Sequence, residues 1–259
     1  MQKMLLLVFI LLQISGLSAQ ETSPYLKKQF VSGSDTLNYR ILYPEKYNPS
    51  KKYPLILFLH GAGERGKNNE AQLKHGGSYF TEKVNRKKYP AIVVIPQCPF
   101  TDFWARITLN FKEEDSLGRL VFPGNVPIGK TLGAVSNLMD SLAETTSVNK
   151  SKIYIGGLSM GGMATFEMLW RKPKFFAAAF AICGGGNPDK VSEYGAGFPI
   201  WVFHGDQDPT VKVSNSRLMV NALKKAGAKV KYTEYPGVVH NSWLNAFKEK
   251  DLMPWLMSH

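Results

Sequence analysis

Ile153-Tyr-Ile-Gly-Gly-Leu-Ser-Met-Gly-Gly162 is a short β-branched run that stops abruptly on a serine flanked by glycines. Within it, Gly157-Leu158-Ser159-Met160-Gly161 fits the pattern G-x-S-x-G. A strand that turns sharply into a helix forces the residue at the turn into strained backbone angles, and side chains on either flank would collide there. Glycines at both flanks remove the collision. They leave Ser159 at the tip of the turn, its hydroxyl exposed beside the N-terminus of the next helix. The same five residues also suit a glycine-rich connection carrying an incidental serine, so the surroundings must decide between the two.

Those surroundings alternate between buried strands and helices. Upstream, Pro54-Leu-Ile-Leu-Phe-Leu59 and Ala91-Ile-Val-Val-Ile95 are continuous apolar runs bounded by turn signals, the signature of strands buried on both faces. The polar segment Lys67 to Tyr89 between them is expected to hold a helix or two. Ile128, Leu132, Val135, Leu138 and Leu142 recur at helical spacing just before the Ser159 strand. Downstream, the pattern predicts a helix over Met163 to Arg171, strands over Phe176 to Ile182 and Pro199 to Phe203, and a helix over Val211 to Lys225. A last strand over Lys229 to Tyr235 and a helix over Ser242 to Met257, interrupted at Pro254, complete the chain. Gln29 to Tyr43 reads as a hairpin around Gly33-Ser34-Asp35. The fold class is therefore α/β: a mostly parallel sheet with helices on both faces and an N-terminal antiparallel hairpin. Residues 100 to 126 follow no period and mix Phe103, Trp104, Phe111 and Phe122 with a charged run. They are expected to form an insertion leaning over the C-terminal edge of the sheet.

The first residues form a different object. Lys3, the apolar run Met4 to Leu12 and the small-residue exit Ser15 to Ala19 have the order of a cleavable export signal. Residues 1–19 are expected to be removed, leaving 20–259 as one catalytic domain in a secreted or periplasmic protein. No later apolar stretch approaches the ~20 residues of a membrane span, and no cysteine follows the run to carry a lipid, so no stable membrane anchor is expected. The chain carries 32 basic and 20 acidic side chains, a formal net charge of +12. Its lysines are scattered over loops and helix faces without an aromatic-interleaved motif, which reads as solvated surface and not as a nucleic-acid site.

A serine hydroxyl is a poor nucleophile near neutral pH, so Ser159 needs a base, and the base needs a carboxylate to orient it. Later strand ends supply both. Phe203-His204-Gly-Asp206-Gln-Asp208 follows one strand and Gly237-Val-Val-His240-Asn follows the last. The order Ser159, Asp208, His240 is one of the known triad orders. Asp206 is the rival acid within the same turn. His60 and His204 each precede a glycine at a strand end and read as loop-shaping residues, and His75 reads as solvated loop. No histidine pair or cysteine cluster has metal-ligand spacing, so neither metal nor cofactor is expected.

Together these segments resemble the α/β-hydrolases, and more closely the secreted esterases of the feruloyl and acetylxylan type. The likeness extends to dienelactone hydrolases and to the catalytic domain of prolyl oligopeptidases. It is carried by Tyr39-Arg-Ile-Leu-Tyr-Pro44, Leu59-His-Gly-Ala-Gly-Glu-Arg-Gly66, Gly156 to Gly162, His204-Gly-Asp-Gln-Asp208 and His240-Asn-Ser-Trp243. The resemblance implies Ser159 as nucleophile, His240 as general base and acid, and Asp208 as the orienting carboxylate, which fills the acid position of H-G-x-x-D. It implies an oxyanion hole made by the backbone N–H groups of Met160 and Ala62, each contributing about 3 kcal/mol. The family's strand order puts Cys98 and Cys183 three strand spacings apart, ~14 Å, so both are expected as free thiols. Trp104, in the insertion, is a candidate wall for a sugar or aromatic acid, or else a packed aromatic that anchors the loop. Trp243 reads as packing, and Glu64 and Arg65 as a pair stiffening their loop. The function so implied is a serine carboxylic-ester hydrolase removing feruloyl or acetyl groups from plant polysaccharide, its partner a small or polysaccharide-linked ester. The alternatives are a serine peptidase and a non-catalytic carbohydrate-binding module of the same fold. Oligomeric state is not legible.

Overall fold

A computed structural model describes residues 23–33, 35–110 and 119–259. The expected signal segment, Ser34 of the hairpin turn, and Phe111 with the charged run after it lie outside the described residues. In chain order the elements begin with β1 (Leu26–Ser32), β2 (Asp35–Leu42), β3 (Tyr53–Leu59), α1 (Gly77–Thr81), α2 (Lys83–Lys88) and β4 (Ile92–Pro96). Two short strands, β5 (Thr108–Asn110) and β6 (Arg119–Val121), pair within the insertion. Then follow α3 (Lys130–Ala143), β7 (Val148–Leu158), α4 (Met160–Arg171), β8 (Ala178–Ile182), β9 (Pro199–Gly205), α5 (Val213–Lys225), β10 (Lys229–Tyr235), α6 (Trp243–Ala246) and α7 (Leu252–Met257).

The main sheet has eight strands in the order β1-β2-β4-β3-β7-β8-β9-β10. β2 pairs antiparallel with both of its neighbours, and every pairing from β4 to β10 is parallel. This is the α/β-hydrolase architecture with the antiparallel hairpin at its N-terminal edge. The apolar runs explain themselves once the sheet is formed. Because successive strand residues point to opposite faces, Leu55, Leu57 and Leu59 of β3 pack with α3, α4 and α5, while Ile56 and Phe58 pack with α1, α6 and α7. A strand covered on both sides can only be apolar throughout, so no alternation survives in β3, β4 or β8. The edges are different. β1 is largely exposed and β10 half-buried, and they carry Lys27, Lys28, Lys229 and Lys231 at exposed positions, which opposes edge-to-edge association.

Three expected boundaries shift for physical reasons. The strand after the Ser159 helix begins at Ala178, not Phe176, because Phe175 and Phe176 sit in the turn and stack edge to face. The helix after Ser159 begins at Met160, immediately beyond the turn. Pro254 does not interrupt a helix. It occupies the first turn of α7, where a missing N–H costs no intrahelical bond, and the break falls earlier, between Ala246 and Leu252.

Among the glycines of the described residues, the closest backbone approach lies where β7 passes into α4. A Cβ placed on Gly161 would meet the Leu59 carbonyl oxygen at 1.9 Å, and one on Gly157 would meet the Gly161 carbonyl oxygen at 2.4 Å. Both obstacles are backbone and cannot swing aside. Gly133, inside α3, has only ordinary contact with Ile128 at 3.5 Å. Chemical denaturation should separate the two cases. Gly161→Ala is expected to lose several kcal/mol or fail to accumulate as folded protein, whereas Gly133→Ala should gain about 0.5–1 kcal/mol from helix propensity.

Candidate active site

Ser159 occupies the single residue between β7 and α4 with φ 51° and ψ −117°, a left-handed strained conformation for a residue that has a Cβ. Its N–H donates to the Ile182 carbonyl of β8 at 2.8 Å, which pins the turn to the neighbouring strand. Ser159 is 9% exposed, and its hydroxyl donates to His240 Nε2 at 2.9 Å.

His240 and Asp208 come from the loops after β10 and β9. The structure stitches those loops together: Gln207 N–H donates to the Val238 carbonyl at 3.0 Å, and Gly237 N–H donates to Asp206 Oδ1 at 2.7 Å. Gly205 is obligatory between them, since a Cβ there would lie 2.2 Å from the Val238 carbonyl oxygen. This separates the two acids. Asp206 ties the turn, and Asp208 Oδ2 accepts from His240 Nδ1–H at 2.7 Å. Oδ1 of Asp208 accepts from the backbone N–H groups of Thr210 and Val211 at 2.8 and 2.9 Å, and His204 Nε2 lies 3.2 Å from Oδ2. Burial alone would raise the Asp208 pKa. The hydrogen bonds from His204, His240 and Val211 outweigh it and hold the carboxyl well below the usual carboxylate range. The carboxylate is thus permanently an acceptor for His240 near neutral pH.

Ala62 opens a single 3₁₀ turn, Ala62–Glu64, in the loop after β3, and Met160 opens α4. A residue at the first position of a helical turn has a backbone N–H without an intrahelical acceptor, so both groups are donors in reserve. The loop abuts the serine: a Cβ on Gly61 would stand 3.7 Å from Ser159 Cβ. His60 holds the loop. Its Nδ1–H donates to the Gly61 carbonyl at 2.6 Å and its Nε2 accepts from Cys98 N–H at 3.0 Å. Burial lowers its pKa to about 4, against a raising effect from the Gly61 hydrogen bond, so the ring is neutral near pH 7. His60 therefore shapes the loop, as its place at a strand end suggests.

Trp104 requires correction. It is fully buried, and its indole N–H donates to the His60 carbonyl at 3.1 Å while its ring meets the His60 ring edge to face. An enclosed side chain cannot form the wall of a binding site, and Trp104 instead braces the loop that carries Ala62. The rest of the insertion is anchored as firmly. Asp102 accepts from Thr131 at the start of α3, and Arg106 N–H donates to buried Glu167 of α4 at 2.8 Å. Ile107, Leu120 and Phe122 pack on Ala105, Met163 and Val211, which places the described part of the insertion beside α4 and the loop after β9.

Sequence reasoning missed the neighbours on the other side. Glu64 does not pair with Arg65. Arg65 donates to the carbonyls of Ala62, Phe100 and Asp102, and buried Glu64 faces His75 at 3.6 Å. His75 is not a free loop residue: its ring lies 5.1 Å from that of Trp243, which in turn meets His240 at 5.5 Å in a perpendicular arrangement. Nothing in the Lys74-His75-Gly76 run signals this contact, which arises from α6 folding back across the loop. Cys98 and Cys183 are free and buried, separated by β3 and β7 as the strand order implies. Cys183, Asp208 and His240 bring their donor atoms within 4.8 Å of one another. Coordinating a metal would take a bare His240 Nδ1 and a thiolate. Here Nδ1–H is given to Asp208, while burial, reinforced by the Asp208 charge, pushes the Cys183 thiol up to about 12.

Comparison with known proteins agrees with the geometry. The model of the phospholipase/carboxylesterase family matches residues 126–250. Acyl-protein thioesterase 1 of Neurospora crassa is 31% identical over 215 residues, covering 73% of this chain and 80% of that protein. An endo-1,4-β-xylanase/feruloyl esterase of Xylanibacter ruminicola is 27% identical over 193 residues, which is 73% of this chain but 24% of that larger protein. The crystal structure of a thermostable esterase superposes with a TM-score of 0.79 at 36% identity, covering 91% of this chain and 63% of that one. By its sheet order, its G-x-S-x-G turn and these relatives, the chain belongs to the phospholipase/carboxylesterase family of α/β-hydrolases, carboxylesterase- and thioesterase-type enzymes.

Proposed function

We propose that the protein is an exported serine carboxylesterase that removes feruloyl or acetyl groups from plant polysaccharide through an acyl-enzyme. The observation that carries the reading is the continuous contact Ser159 Oγ to His240 Nε2 at 2.9 Å and His240 Nδ1 to Asp208 Oδ2 at 2.7 Å. In this mechanism Ser159 Oγ attacks the ester carbonyl while His240 takes its proton. The tetrahedral oxyanion is received by the N–H groups of Ala62 and Met160. His240 then returns the proton to the departing alcohol, leaving an acyl-Ser159 ester. Water, deprotonated by His240, hydrolyses that ester and frees Ser159. Asp208 keeps the imidazole in the tautomer with a bare Nε2 and balances the imidazolium that forms.

The polysaccharide substrate is supported by the xylanase/feruloyl esterase relative and by the export-type leader in residues 1–19. The thioesterase relative and the shared peptidase chemistry make thioesters and amides the necessary comparison substrates. Methyl ferulate and acetylated xylan should be turned over faster than a short acyl thioester or a peptide amide. Preference for the thioester or the amide would overturn the substrate assignment. N-terminal sequencing of protein recovered outside the cytoplasm should begin near Gln20, and an intact Met1 on the exported protein contradicts cleavage.

The roles of the side chains are tested by kinetics on folded variants. Ser159→Ala should lose at least about 10⁴-fold in kcat/KM on p-nitrophenyl acetate, and activity equal to wild type would refute a serine mechanism. Asp208→Asn should lose about 10⁴-fold in kcat, whereas Asp206→Asn, which keeps an Oδ1 acceptor for the Gly237 N–H, should stay within about tenfold. If Asp206→Asn proves the more damaging, the acid has been assigned to the wrong carboxylate.

A further inference from the structure

Among the described residues three carboxylates are buried: Glu64, Glu167 and Asp208. Two of them are fully supplied with donors. Glu167 accepts from Arg171 Nε–H at 2.7 Å on one oxygen and from the Arg106 N–H at 2.8 Å on the other. Asp208 likewise accepts on both oxygens. Glu64 is different. Its backbone is tied, with the N–H given to the Gly61 carbonyl at 3.3 Å and the carbonyl accepting from Gln97 Nε2 at 3.2 Å. Its side chain is 5% exposed, yet among the described residues no hydrogen bond reaches either carboxyl oxygen. His75 Nε2, 3.6 Å from Oε1, lies outside hydrogen-bond reach. A buried oxygen without a donor is unfavourable, and a native protein that keeps one holds an acceptor in reserve.

That acceptor lies beside the nucleophile. A Cβ built on Gly61 would stand 3.0 Å from Glu64 Oε2 and 3.7 Å from Ser159 Cβ, so the carboxyl and the serine border the same small space. From Glu64 a line of side chains returns to the catalytic base. Glu64 faces His75, the His75 ring lies 5.1 Å from that of Trp243, and the Trp243 ring lies 5.5 Å from that of His240, which meets Ser159 Oγ at 2.9 Å. The His75 and His240 side chains are 26% and 22% exposed, so this side of the site is open to solvent. The missing partner must donate a hydrogen. An ammonium group brings three donors to one carboxyl, whereas a hydroxyl brings one and can exchange a second hydrogen bond with the His75 ring. A hydroxyl is the better match, and it needs no particular charge on Glu64, since a carboxyl in either ionisation state keeps an accepting oxygen.

We propose that Glu64 is a specificity-determining residue, its carboxyl accepting a hydrogen bond from a hydroxyl group of the substrate close to the scissile ester. The inference rests on the esterase reading above and deepens it. Two parts of such a substrate carry a hydroxyl: the sugar, on the carbon next to the esterified one, and a feruloyl group, on the far side of its ring. The closeness of Glu64 to Ser159 favours the sugar. A hydroxyl on the neighbouring carbon is a few bonds from the carbonyl that Ser159 attacks, whereas the phenol is separated from it by a double bond and a ring. An ester without the hydroxyl leaves the buried carboxyl unpaired, which is how a polar site discriminates against an analogue lacking the matching group.

The test compares kcat/KM within two matched pairs of esters. The sugar pair is methyl 2-O-acetyl-β-xylopyranoside and its 3-deoxy analogue, and the phenol pair is methyl ferulate and methyl 3-methoxycinnamate, which lacks the phenolic hydroxyl. Wild type should favour the hydroxylated member of the sugar pair by about tenfold or more. Glu64→Ala should reduce that preference to within about threefold, and Glu64→Gln, which keeps one oxygen as acceptor, should fall between. Each preference is a ratio measured on one protein, so a general loss from a disturbed Gly61–Glu64 loop cancels. A preference that Glu64→Ala erases in the phenol pair instead assigns the hydroxyl to the acyl group. Wild type that treats both members of both pairs alike overturns the inference, and so does a preference that survives in Glu64→Ala. Should Glu64→Ala not fold, the wild-type ratios and Glu64→Gln decide. Failure of the esterase reading would show separately, as Ser159→Ala matching wild type on all the esters.

Discussion

The site depends on a contact between backbones: the turn from β7 into α4 lies so close to the end of β3 that no side chain fits at Gly157 or Gly161. That closeness forces Ser159 into its strained angles and brings the first N–H of α4 to the same side as the loop after β3. A looser turn could relax the serine, but it would move Ser159 away from the Ala62 and Met160 N–H groups. The strain is sustained because the flanks are among the best-packed parts of the molecule. Ile182 holds the Ser159 N–H, and β8, nearly all of β3 and the Ile153–Leu158 half of β7 are buried.

The other half of the site is built from loops, and loops need restraint to hold a geometry to fractions of an ångström. Here the restraint is mutual. The acid loop after β9 and the base loop after β10 exchange backbone and side-chain hydrogen bonds, so Asp208 and His240 are positioned relative to each other before either meets Ser159. Asp208 has both oxygens occupied by donors, which excludes the protonated form and fixes the carboxylate in orientation. His60 and Trp104 restrain the loop after β3 in the same manner, by hydrogen bonds between fully buried groups.

The misreadings of the sequence share one cause. Trp104 sits in a segment without period, and an aromatic in such a segment can face outward to a ligand or inward as an anchor. Only the position of the His60 carbonyl decides for the anchor. Glu64 and Arg65 are adjacent in sequence, yet a 3₁₀ turn sends one toward His75 and the other toward the carbonyls of the insertion. His75 belongs to the rim of the site through Trp243, a residue far along the chain. Each depends on a long-range contact that local patterning does not encode.

The sequence by itself determined the α/β order of elements, the buried strands, the glycine-flanked Ser159 and the candidate pair Asp208 and His240. Their signals are local: apolar runs too continuous for a half-exposed strand, glycines where a Cβ is forbidden, and acid and base in a fixed chain order after strand ends. Tertiary structure alone decided how Asp206 and Asp208 divide their partners, that Trp104 is an anchor, and that His204 also approaches Asp208. Asp206 and Asp208 differ by two positions in one turn, and which of them faces His240 is set by how the loops after β9 and β10 lock together. Hydrogen-bond satisfaction inside a protein is a property of all the surrounding chain, so it becomes readable only when that chain is folded.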